Sequence, residues 1–220
     1  MQERGVPRRS GDDIKILVQS VQNLLQGKLR MARHLEFDRT EVVARAVDAF
    51  WRFGYESLPA LEIAEAMGVA KSSLYNTFGS KRDLFLESVD HYANTQRSKL
   101  AARVSSENAE VLLRQMLLEV VSDNNAGRGC LLVNTAAELG ARDGEVCRHV
   151  KAGFDGMIDA FANLILAGQE AGQFKSGVNP RKYAVILIAG ISGLRVLAKG
   201  GCSTHELNPV IENLLAGLLE

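Results

Sequence analysis

Cysteine, proline and tryptophan are scarce in this chain, at three, four and one in 220 residues. Three cysteines, at positions 130, 147 and 202, are an odd number spread too widely for a disulfide framework, and they suit a reducing compartment. The few prolines, and the lack of alternating Val, Ile and Thr, leave the 3.6-residue period dominant, so the expected fold class is all-α. Long apolar runs are missing too: the most apolar tract, 183–197, is cut by Gly190, Gly193 and Arg195, and no membrane span is expected. The beginning is basic, but its apolar positions (Ile14, Ile16, Leu17 and Val18) run at once into polar residues without a cleavage site, so a cytoplasmic location is expected. No excess charge of either sign exists, because 26 Lys and Arg cancel 26 Asp and Glu. A Gly-rich phosphate loop after a strand, Gly-x-Ser-x-Gly and His-Glu-x-x-His are all absent, so neither an enzymatic activity nor a cofactor is expected.

What is there is a 46% hydrophobic composition, enough for a core without staples. Residues 1–30 read as an extension with one possible amphipathic helix carrying Ile14, Leu17, Val21, Leu24 and Leu25. Residues 31–90 read as a head of short helices. Asp38 and Glu41 resemble a capping box for a first helix that bears Val42, Val43, Ala46, Phe50 and Trp51 and ends at Gly54. In SLPALEIAEAMG, Pro59 fits a first helical turn and Gly68 a close, leaving about two turns between them. VAKSSLYNTF makes another short helix, and Ser80 caps a fourth with Leu84, Phe85, Val89 and Tyr92 on its buried stripe. Residues 91–220 hold longer helices, separated by glycine-rich breaks such as NNAGRG and GARDGE.

Two short helices joined by a tight glycine turn form the helix-turn-helix pattern, whose second helix enters the DNA major groove. Ser72 and Ser73 are small enough for close approach to base edges. Lys71 can donate to guanine or to a phosphate, and Tyr75 and Asn76 follow one turn on. Lys81 starts a helix, where backbone N–H groups also favour a phosphate. The alternative is that the same residues are the solvated face of a small helical subdomain. Across 38–85, six bases face seven acids, so support for DNA binding comes from distribution: Lys71, Lys81 and Arg82 cluster at the second helix, and Arg30, Arg33 and Arg39 precede or enter the first.

Residues 37–89, and above all AFWRFGYE, IAEAMGVAKSSLYNTF and SKRDLF, resemble the N-terminal domain of the tetracycline-repressor-like (TetR/AcrR) family of bacterial transcriptional regulators. The resemblance implies a three-helix helix-turn-helix head and a C-terminal helical bundle. It implies a homodimer bound to a palindromic operator on double-stranded DNA and released when the bundle takes a small-molecule effector. By position it implies recognition contacts from Lys71, Ser72, Ser73, Tyr75 and Asn76 and a phosphate contact from Lys81. The chain departs from the family where Leu58 and Pro59 replace the Ser or Thr that opens the second helix, leaving Ser57 as a substitute cap. That departure and the acidic head motivate a rival reading, a helical protein-interaction module that no longer binds DNA.

The second half resembles the family more loosely, through RGCLLVNTAAELGARDGEV (128–146) and AGQEAGQF (167–174). In one branch the corresponding cysteine senses oxidants or electrophiles. Cys130, at a helix start two residues after Arg128, has the surroundings that stabilise a thiolate, although a small buried residue would fit there too. Asn134, Phe154, Met157 and Phe161 are the candidate lining of an effector pocket, with core packing as the alternative. Cys147 with His149, and Cys202 with His205, are too sparse for a metal site, and none is expected. The last two helices carry more apolar surface than one bundle needs, which points to a homodimer through them.

Overall fold

A computed structural model of the chain describes residues 38–104, 108–122 and 127–219; the amphipathic helix expected before residue 30, and Arg30 and Arg33, lie outside them. The described residues are helical throughout their regular parts, and those from Thr40 onward form one compact unit.

The first helix, α1 (Arg39–Phe53), buries Val42, Val43, Ala46, Ala49 and Phe50, a spacing that places all five on one stripe. Phe50 meets Phe85 edge-on at 4.9 Å. The helix stops at Gly54, whose φ of 79° lets the chain turn back while its N–H bonds Phe50 O. Next comes α2 (Ala60–Met67), with Ile63, Ala64 and Met67 buried, and then α3 (Lys71–Phe78), with Leu74 and Phe78 buried. Pro59 sits one place ahead of α2 rather than within its first turn, in an extended conformation, and no side chain caps this helix. Ser57 therefore does not take the capping role expected of it. Gly68 closes α2 in the left-handed region, where its N–H reaches Ala64 O and Glu65 O.

Ser80 caps α4 (Lys81–Val104) as expected, its Oγ accepting from Asp83 N–H at 3.0 Å. At 24 residues this helix is about 36 Å long. It belongs to the head at one end, through Leu84 and Phe85, and to the bundle at the other, through Leu100. The bundle continues with α5 (Ala109–Val121), α6 (Leu131–Leu139), α7 (Gly144–Glu170), α8 (Pro180–Lys199) and α9 (Thr204–Ala216). Its core is built from Leu113, Leu117, Phe161, Leu164, Leu187 and Ile211, all buried. Side-chain caps set the starts: Asn108 for α5, Asp143 for α7, Asn179 with Pro180 behind it for α8, and a full Ser203–Glu206 capping box for α9. The last helix ends at Ala216. There the chain turns, and Leu218 O accepts from Lys175 N–H at 2.8 Å.

Candidate nucleic-acid interface and effector cavity

Burial of Leu74 and Phe78 fixes which way α3 faces. With those two side chains turned inward, Lys71, Ser72, Tyr75 and Asn76 are exposed and Ser73 is half-buried. Ala70, the residue before the helix, supplies no side-chain cap. The first turn thus combines an exposed lysine, an exposed serine and uncapped backbone donors, the combination that accepts a phosphate. Arg39 is exposed at the first position of α1.

Other basic groups of the head are engaged within the protein. Lys81 is half-buried: its Nζ donates to Tyr55 O at 2.5 Å and lies 4.3 Å from the centre of the Tyr55 ring, and desolvation there lowers its pKa from the ordinary lysine value. Arg82 turns away from α3 and forks onto Asp143, with a second pairing to Glu145 at 2.9 Å. Those hydrogen bonds, Asp143 first, hold the guanidinium pKa above its usual value. Of the three cations expected to cluster at α3, Lys71 alone stands exposed there. The partners of the other two, Tyr55, Asp143 and Glu145, are distant in sequence and gave no local signal.

Arg45 bonds Glu41 and reaches Met67 O at 3.2 Å, tying α1 to the turn of the helix-turn-helix. A carboxylate missed in the sequence does similar work on the other side. Glu138, at the end of α6, accepts from the N–H groups of Tyr55 and Glu56, at 3.1 and 2.8 Å. The chain leaving α1 is thereby held by the bundle.

Between the helices of the bundle lies a cavity of about 520 Å³, within the range of small-molecule sites. Phe154, Met157 and Phe161 line it, together with Tyr92, Cys130 and Arg195. Asn134 does not. Its side-chain amide is turned back on the preceding loop, donating to Arg128 O at 2.9 Å, which corrects its expected place in the lining.

Cys130 is the residue before α6 and is 8% exposed. The buried Tyr92 hydroxyl donates toward its Sγ at 3.8 Å, and burial, ahead of the nearby thiol, pushes the Tyr92 pKa up. The Arg128 guanidinium is directed elsewhere, to an ion pair with Asp48 and a position 4.6 Å above the Trp51 ring. Trp51 in turn meets Tyr92 edge-on at 5.0 Å. A chain of contacts therefore runs from the cavity wall at Tyr92, through Trp51, to α1 of the head. Cys147 is exposed and His149 pairs with Asp90 at 2.9 Å; among the described residues no cluster fit to hold a metal ion occurs. No described helix is long and apolar enough to cross a membrane.

Comparison with known proteins finds two matching family models: bacterial regulatory proteins of the tetR family over residues 42–88, and the tetracyclin repressor-like C-terminal domain over residues 112–206. The HTH-type transcriptional regulator YezE of Bacillus subtilis is 30% identical over 147 residues, covering 65% of this chain and 76% of that protein. The HTH-type transcriptional repressor ComR of Escherichia coli is 23% identical over 176 residues, 78% of this chain and 84% of its own. Among solved structures, a cysteine mutant of the TetR family regulator CifR in complex with 26-base-pair operator DNA is 27% identical. It superposes with a TM-score of 0.69 over 83% of this chain and 97% of that one.

Proposed function

The chain belongs to the TetR family of bacterial transcriptional regulators, DNA-binding proteins rather than enzymes, and from that membership we propose a cytoplasmic repressor that leaves its operator when the bundle cavity is occupied. The observation that carries this reading is the exposed row Lys71, Ser72, Tyr75 and Asn76 on a helix whose other side is buried. In this reading those residues and Ser73 meet the major groove, Arg39 and Arg33 meet the backbone, and Lys81 keeps a phosphate role only by giving up its bond to Tyr55 O. The DNA-binding head takes residues 31–90, the sensing and dimerisation part takes 91–220, and the final two helices form the homodimer. The repressive sense is that of ComR, and operator DNA is the ligand seen with CifR.

The rival reading, a module that has lost DNA binding, sits poorly with a family match across both parts of the chain. A gel shift on DNA flanking the chain's own gene tests the choice. Salt-sensitive binding to a palindrome there is expected, and no binding to any such sequence would falsify the repressor.

Cys130 motivates one refinement of the effector. Its sulfur lies on the cavity wall, so an oxidant or electrophile entering the cavity meets a thiol. Release of DNA by hypochlorite or an alkylating agent is then expected to vanish in Cys130→Ser. If the variant responds like the wild type, the cysteine only packs.

A further inference from the structure

The cavity is not neutral. Its apolar lining comes from residues such as Leu100, Leu132, Phe154, Met157 and Phe161, but the charged residues in the lining are Lys99, Arg103 and Arg195 against Glu119 alone. That single acid is already matched, since Arg103 pairs with it at 3.3 Å and also donates to Gln115 at 3.1 Å. Lys99 is exposed. Arg195 differs from both: it is half-buried on α8, flanked by Ile188, Ile191 and Ser192 in the lining, and has neither an ion pair nor a side-chain hydrogen bond among the described residues. Its charge acts on the Tyr92 hydroxyl, which lines the same cavity with Cys130. A guanidinium in that position has lost part of its hydration without gaining a carboxylate among the described residues, and its planar fork is built to take one.

Resting on the reading of the cavity as the effector site, we propose that its effector is an amphipathic carboxylate, with the acid group on Arg195 and an apolar body against Phe154, Met157 and Phe161. The apolar walls exceed what a small hydrophilic acid could use. The unmatched cation selects against amphipathic amines of the same length.

The test is calorimetric titration of the full chain with three probes of one chain length: decanoate, 1-decanol and decyltrimethylammonium. Decanoate is expected to bind about tenfold or more tightly than decanol, and the ammonium most weakly. Arg195→Gln is expected to bring decanoate down to the affinity of decanol while decanol is unchanged, which also shows the variant is folded; Arg195→Lys is expected to recover part of the difference. Ile188→Trp, which fills the cavity, is expected to abolish binding of all three. Equal affinity for decanoate and decanol, or a preference for decanoate that survives Arg195→Gln, overturns the carboxylate while leaving the cavity as an effector site. Binding that persists in Ile188→Trp, or no binding of any probe, overturns the cavity reading and the carboxylate with it.

Discussion

Leu74 and Lys71 stand one turn apart on α3 and have opposite consequences. Leu74 is fully buried, so Leu74→Ala removes a core side chain and is expected to cost about 2–5 kcal/mol, read as a lowered urea midpoint. Lys71 is exposed, so Lys71→Ala is expected to change stability by less than about 0.5 kcal/mol. Its loss is instead expected in operator affinity, with a salt slope shallower by about one if its partner is a phosphate. A Lys71→Ala chain that binds DNA unchanged would remove α3 from the interface. This division between inward and outward positions was legible in the sequence, because helical spacing alone places Leu74 and Phe78 together. The fates of Lys81 and Arg82 were not, because each is settled by a carbonyl or carboxylate that only the tertiary fold brings near; Asn134 is settled by a carbonyl six residues back, which helical spacing does not single out. A long cation beside a candidate recognition helix looks available until its partner is known.

Helix starts show the same contrast on a larger scale. Ser80 and the glycines at 54 and 68 announced their ends in the sequence, since caps are local chemistry. Asp143 has a second role that the sequence did not announce. It caps α7, accepting from Glu145 and Val146 N–H at 3.0 and 3.1 Å, and it also takes the guanidinium of Arg82 from the start of α4. Arg82 first, then the Val146 N–H, holds its carboxyl pKa well below the ordinary aspartate range. A depressed native pKa means that the unfolded chain takes up the proton first as pH falls. The stabilisation is therefore present above about pH 4, the unfolded value, and fades as pH drops toward the native one. Asp143→Asn is expected to be less stable than wild type near pH 6, with the gap narrowing in acid below about pH 4. Denaturant midpoints of both proteins across pH 2.5–7 check this, and a gap independent of pH would mean that Asp143 acts only as a neutral cap.

At the scale of the whole molecule, the face of α8 is a feature that a single chain leaves unexplained among the described residues. Val185, Ile186, Val196 and Leu197 are 45–54% exposed, and the exposed Ala189 and Gly193 lie between them on the same helical side. Val210 of α9 is exposed as well. Aliphatic residues at both ends with small ones at the centre let a second helix come close, and a two-fold contact would repeat the stripe on the partner. A sequence can reveal such a surplus of apolar positions, but not which of them the core consumes: Ala184, Leu187, Ile191 and Leu194 are buried within the chain, and only the remainder is left for a partner. The dimer reading makes DNA binding depend on this face although it does not belong to the head. Two modest heads on one palindrome act as linked sites, and separating them forfeits the effective concentration that the second gains from the first. Ile186→Glu places a carboxylate in the stripe without touching the core. It is expected to convert a dimer at micromolar concentration into a monomer in sedimentation, with the helical circular dichroism kept and operator affinity reduced at least tenfold. A wild-type chain that sediments as a monomer at tens of micromolar, or an Ile186→Glu dimer with full operator affinity, would place the interface elsewhere.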